Sequence, residues 1–287
     1  MILEEKAFAK INLSVDVTGV RPDGYHEMMT PMQSVSLCDQ LRLRFEGEGV
    51  RAGTNLRYVP GDERNLAVKA ALRYFTAVGD EGRGLRIEID KRIPVGAGMG
   101  GGSADAAAVL RALNRVYDGR LSAEELTALA REIGSDVAFC LVGGSMLGTG
   151  RGEVLSPLPP LPPCHFVIVK PGFSISTPEL FQKLDRAPIR IHPDTAGLTA
   201  AMAGGDLQGV CRRLYNVFED VDDRRMRSIR QAKGALLDGG ALGAVMTGTG
   251  SAVFGVFDDR EAALRCSAAL RKDYSFACVA EPVGPLL

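Results

Sequence analysis

The chain has 287 residues, with 34 basic and 35 acidic side chains and a formal net charge of −1, so no electrostatic pull toward nucleic acid or a membrane surface is expected. Its 46% hydrophobic and 24% charged composition is that of an ordinary soluble globular protein. The length is generous for one core and comfortable for two domains, and the expected partner is a small molecule, bound by a monomer or weak dimer.

The opening MILEEKAFAK carries acids where a secretory signal needs a basic region and an apolar core. Residence in the cytoplasm is therefore the expectation. Cys38, Cys140, Cys164, Cys211, Cys266 and Cys278 are scattered without Cys-x-x-Cys spacing, which suggests buried, reduced thiols and argues against a zinc site or a disulfide framework. From residue 7 to 17 the pattern alternates strictly, with Ala7, Ala9, Ile11, Leu13, Val15 and Val17 on one face and Phe8, Lys10, Asn12, Ser14 and Asp16 on the other. This predicts a strand with one dry face, on which Lys10 and Asn12 are polar neighbours, either solvated or aimed into a cleft. Turn chemistry follows at residues 21–27 and sets Tyr25 beside His26. The pair is either structural or offers an aromatic face and a ring nitrogen to a flat heteroaromatic ligand. Strands are predicted from Met32 to Leu37, from Gln40 to Phe45 and from Leu85 to Lys91, with a helix from Asn65 to Val78.

Between Gly96 and Gly102 glycine occupies five of seven positions, so the backbone can approach a ligand closely. Ser103 is the expected N-cap of the following helix, with Asp105 in its first turn and Val109, Leu110 and Leu113 along its apolar stripe. A glycine loop opening a helix presents free N–H groups and a positive dipole end, which is what a phosphate needs. The dinucleotide fingerprint fails, because a second helix rather than a strand follows and no acid stands in strand context about 20 residues on. The Walker reading fails too, since no lysine closes the loop. A packing turn remains the bland alternative.

Ser122 and Glu125 form a predicted capping box. Asp136 lies between a helix end and an apolar run, either as an N-cap or in an environment that tunes its acidity. Residues 143–154 read as a strand and turn. Five prolines among residues 157–163 read as a stiff boundary, giving expected domains 1–157 and 164–287. Beyond it come a strand from His165 to Lys170, a helix starting at Ser176, a long helix from about Asp220 to Leu237, a strand to Met246, the turn Thr247–Gly250, a strand from Ala252, a helix from Arg260 and a last strand near Ala277. Strand-helix-strand-strand-helix-strand predicts a ferredoxin-like α+β layer.

Three spaced segments, AKINL, PVGAGMGGGSADAA and MTGTGSAVFG, resemble the GHMP kinase superfamily. Together with AKINLSVDVTGVRPDGYHEM and IGSDVAFCLVGG, they resemble the branch that phosphorylates the 2-hydroxyl of a cytidyl-diphospho-methylerythritol in the non-mevalonate isoprenoid pathway. The resemblance implies a two-domain α+β fold with a β-rich N-terminal part and a ferredoxin-like C-terminal part. It also implies that Pro94, Val95, Gly96, Ala97, Gly98, Met99, Gly100, Gly101, Gly102, Ser103 and Ala104 wrap ATP phosphates, with Mg²⁺ accompanying ATP and Ser103 as its ligand. Asp136 is implied as general base with Lys10 beside it, and Asn12 as a substrate contact. The implied cytosine pocket sandwiches the base between Tyr25 and Phe181, with His26 on its edge. Thr247 and Thr249 stand where relatives often have serines. Other readings on the same fold are a kinase of homoserine or mevalonate type and a non-catalytic nucleotide sensor.

Overall fold

The computed structural model describes residues 2–186 and 189–287. It opens on β1 (Ile2–Asn12) and β2 (Ser14–Val20), separated at Leu13, whose N–H donates to the Pro31 carbonyl at 2.8 Å. The alternation of residues 7–17 is real, but the expectation of a single dry face is not met. Lys10, Asn12, Ser14 and Asp16 are all buried too, because the polar face is covered by the glycine loop and by the C-terminal half. The solvated reading of Lys10 falls with it.

The two strands expected between Met32 and Phe45 are one, β3 (His26–Arg44). Its first half pairs with β2 and its second half with β1, while β1 shifts register between Phe8 and Lys10. Beside that shift the same strand binds the last residues of the chain, Ser36 donating to the Glu281 carbonyl at 2.9 Å and Ser34 accepting from Val283 at 2.9 Å. After β4 (Val50–Thr54) and α1 (Leu66–Val78), capped by Asn65, comes β5 (Leu85–Asp90), which pairs with β3 and β4. Helix α2 (Gly101–Val116) begins three residues earlier than expected, with Gly100 rather than Ser103 at its N-cap. Gly100 has φ +66°, a conformation that favours glycine. In consequence Asp105 lies past the first turn and is buried.

Helix α3 (Ala123–Ile133) carries the expected capping box, and α4 (Ser135–Val142) starts at Gly134, so Asp136 is not its cap. Strands β6 (Ser145–Gly150) and β7 (Val154–Pro157) complete the N-terminal sheet together with a two-residue strand from later in the chain, Tyr215–Asn216. Strand β8 (His165–Lys170) is followed by α5 (Thr177–Leu184), α6 (Thr195–Ala203), α7 (Leu207–Cys211) and β9 (Tyr215–Asn216), which lies parallel to β2. The long helix expected from Asp220 is a 3₁₀ turn (Val217–Asp220) and then α8 (Met226–Asp238). The order closes with β10 (Gly243–Met246), β11 (Val253–Phe257), α9 (Arg260–Leu270) and β12 (Phe276–Ala280). The second sheet runs β10-β11-β8-β12, antiparallel throughout, which is the ferredoxin-like order.

Two apolar cores result. The larger packs α1, α2 and α4 on the N-terminal sheet and continues into Phe166, Ile168 and Phe254 of the second sheet. The smaller lies under α5, α8 and α9. The last residues return to the first half, where Val283 and Leu286 donate to the carbonyls of Ser34 and Val142. Among the described residues no helix is long and apolar enough to cross a membrane.

Candidate active site

Where the two halves meet lies a cavity of about 440 Å³, lined by Lys10, Asn12, Tyr25, His26, Ser103, Asp136, Phe181 and the glycines 98, 100 and 248, among others. The glycine loop forms one wall, and a shallower groove of about 230 Å³ runs along it from Pro94 to Ser103 beside Leu66. Ala97, Met99 and Ala104 turn their side chains into the core, so the loop faces the groove with backbone. Two of its glycines are required by geometry. A Cβ on Gly98, at φ +77°, would stand 2.2 Å from the Thr247 carbonyl oxygen, and one on Gly100 would stand 3.2 Å from the Lys10 side chain.

Lys10 owes its place to the irregularity in β1. Its N–H leaves the sheet for the Met99 carbonyl at 3.1 Å, which lays its aliphatic stem along Gly100. The ammonium donates to Asn12 Oδ1 at 2.8 Å and sits 3.5 Å from Asp136 Oδ2. The lysine is 5% exposed, while the aspartate side chain is 39% exposed and open to the cavity. Asn12 donates from Nδ2 to Thr30 Oγ1 at 2.8 Å. Thr247 in the glycine turn accepts the Asn12 backbone N–H at 3.0 Å and points its hydroxyl at Asn12 Oδ1 at 3.1 Å. Asn216 fixes that turn by donating to the carbonyls of Met246 and Gly248, each at 2.8 Å.

Beneath the loop, Lys91 bridges two buried carboxylates, Asp39 and Asp105. Asp39 also accepts the N–H groups of Arg92 and Ile93, at 2.5 and 2.8 Å, and so holds the chain entering the loop. Burial, helped by the Asp39 charge and opposed by Lys91, pushes the Asp105 carboxyl up to about 8, and its Oδ1 has no hydrogen-bond partner.

At the other end of the cavity are the aromatic residues. Phe181 stacks on His26 with ring centroids 4.5 Å apart and stands edge-on to Phe218 at 4.8 Å. His26 Nε2 bonds Asp185 Oδ1 at 2.7 Å. Tyr25 is exposed, with the Arg151 guanidinium 4.8 Å above its ring. A planar ligand laid on the Phe181 face that His26 covers must turn His26 aside. Asp185, Arg151 and Asn216 support this site and escaped the sequence reading, which noted Thr247 only as a departure in the glycine turn. Asp185 alone had a signal, since it lies four residues after Phe181 on the same helical face.

Lys10, Asn12, Tyr25, His26, the loop from Pro94 to Ser103, Asp136 and, from the far half, Phe181 thus border the cavity or its groove, while Ala104 lies in the core. A glycine loop at a helix N-terminus facing a lysine–aspartate pair, between a β-rich half and a ferredoxin-like half, defines a small-molecule kinase of the GHMP type. Residues 65–144 match the family model for the GHMP kinase N-terminal domain and 198–275 that for the C-terminal domain. A 4-diphosphocytidyl-2-C-methyl-D-erythritol kinase of Syntrophomonas wolfei is 44% identical over 260 residues, 91% of each chain. A crystal structure of 4-(cytidine 5'-diphospho)-2C-methyl-D-erythritol kinase superposes with a TM-score of 0.83 at 35% identity, covering 98% of this chain and 100% of that one. A homoserine kinase from Cytophaga hutchinsonii, at 24% identity and TM-score 0.74, covers 99% of this chain and 95% of that one and shares the fold. The chain belongs to the 4-diphosphocytidyl-2-C-methyl-D-erythritol kinase family.

Proposed function

We propose that this protein transfers the γ-phosphoryl group of ATP to the 2-hydroxyl of 4-diphosphocytidyl-2-C-methyl-D-erythritol, giving the 2-phosphate and ADP. The observation that carries the reading is the Lys10–Asp136 pair at 3.5 Å, facing the cavity that the glycine loop also borders. Asp136 accepts the hydroxyl proton while the oxygen attacks phosphorus and ADP departs. Lys10, paired with Asp136 at 3.5 Å, draws the acceptor oxygen and the transferring phosphoryl together. The loop from Pro94 to Ala104 cradles the ATP phosphates at the start of α2, with the N–H groups between its ends as donors, since Pro94 has none and that of Ala104 goes to the Gly100 carbonyl at 2.8 Å. Mg²⁺ bound through the phosphates needs just one or two protein oxygens, and the Ser103 hydroxyl, which lines both cavity and groove, suits that part. It would neutralise charge on the β- and γ-phosphates.

The cytosine lies between Tyr25 and Phe181, with His26 swung to its edge and Asn12 at the polar end. Turning His26 off Phe181 gives up a stack worth about 0.5–1.5 kcal/mol, which base stacking of about 1–3 kcal/mol offsets. The cavity volume is in the range of sites for ligands well beyond a bare four-carbon alcohol. The working place of such a biosynthetic enzyme is the cytoplasm. The test is product analysis with ATP and Mg²⁺ against the cytidyl substrate, homoserine and mevalonate in parallel. Phosphorylation of the cytidyl substrate is expected. Phosphorylation of another alcohol instead would overturn the substrate assignment, and no acceptor-dependent ATP turnover would leave a nucleotide sensor.

A further inference from the structure

Thr247 belongs to the C-terminal half, yet it is fully buried against β1 of the other half. Its hydroxyl accepts the Asn12 N–H at 3.0 Å and has one proton to give, to Asn12 Oδ1 at 3.1 Å or to the Gly98 carbonyl at 3.3 Å. The same Oδ1 takes a proton of the Lys10 ammonium at 2.8 Å. The amide cannot be reversed without cost. Its Nδ2 is engaged by Thr30 Oγ1, whose own hydroxyl donates to the Ser14 carbonyl, and a flipped amide would aim N–H at an ammonium. A lysine ammonium on a four-carbon stem has much rotamer freedom to lose, so a fixed acceptor at its tip matters.

We propose that Thr247 is a positioning residue for phosphoryl transfer. Acting through Asn12, it fixes the Lys10 ammonium beside Asp136, so Lys10 is aligned when the glycine turn of the C-terminal half is docked on the loop. This rests on the reading of Lys10 as the catalytic cation. One ammonium proton goes to Asn12 and one faces Asp136, which leaves the third for the acceptor oxygen or the phosphoryl group. The docking itself is tight, since Ala252 donates to the Ala97 carbonyl at 3.1 Å and Gly98 has no room for a Cβ beneath Thr247.

The experiment compares Thr247→Val, which keeps the shape and loses the hydroxyl, with Thr247→Ser, which keeps the hydroxyl. Loss of a buried hydrogen-bond relay predicts a kcat roughly 5- to 10-fold lower for Thr247→Val, with KM for ATP and for the cytidyl substrate within about twofold. Thr247→Ser should restore kcat. On kcat, Asn12→Ala combined with Thr247→Val should lose no more than the larger single change, because both break one relay. Wild-type kcat in Thr247→Val, a raised ATP KM as its sole effect, failure of serine to rescue, or additive losses would each overturn the proposal. If Lys10→Ala keeps normal kcat, the underlying reading fails instead. If Lys10→Ala is impaired and Thr247→Val is not, the loss is confined to the relay.

Discussion

Replacing Asp136 by Asn removes the proton acceptor while leaving the side-chain shape, and two magnitudes separate what it should and should not change. Asp136 makes no capping bond to α4, and its link to Lys10 is an ion pair 3.5 Å long with the carboxylate 39% exposed. Solvent screening limits such a pair to about 0–1 kcal/mol, so the melting temperature should fall by no more than about 4 °C. Turnover should fall about 10²- to 10⁴-fold, the usual cost of losing a general base. The ATP site is built from loop backbone, so KM for ATP should stay within about twofold. The assay is initial rates against both substrates, with thermal unfolding on the same preparation. A variant within a few-fold of wild-type kcat would refute the assignment, and a large drop in melting temperature would return Asp136 to a structural part.

Truncating Tyr25 or Phe181 to alanine should raise KM for the cytidyl substrate about 5- to 150-fold with kcat and ATP KM little changed, since stacking is made equally in ground and transition states. An unchanged cytidyl KM in both variants would remove the base sandwich. Gly98→Ala brings a Cβ to 2.2 Å from the Thr247 carbonyl at a φ of +77°, so both melting temperature and ATP affinity should drop, and wild-type values of both would contradict the loop–turn packing. Asp105 has a raised carboxyl pKa of about 8, so its contribution to stability is complete below the unfolded value near 4 and is lost as pH rises toward 8. Asp105→Asn, which cannot ionise, should flatten that part of the pH dependence in urea unfolding; identical slopes for both proteins would rule the buried proton out.

The local periods were legible. Alternation in residues 7–17, the helix after Asn65 and the capping box at Ser122 appear where the residues themselves predict them, because alternation and caps are short-range physics. The start of α2 was misplaced for the converse reason. A serine is the better isolated N-cap, but the packing of Lys10 and Thr247 against the loop puts glycine 100 in the left-handed region and begins the helix there.

By itself the sequence determined the glycine loop, the lysine on an alternating strand, the α+β order and the family pattern, since each is written in neighbouring residues. What only the tertiary structure decided is that both sides of that strand are dry from residue 9 to 17, which carboxylate meets which lysine, and what covers each ring. Lys91 rather than Lys10 took the two buried aspartates, and His26 rather than a bare face met Phe181. Such pairings join residues far apart in the chain, as Asn12 and Thr247 are, and depend on desolvation that arises only when the two halves close over the cleft.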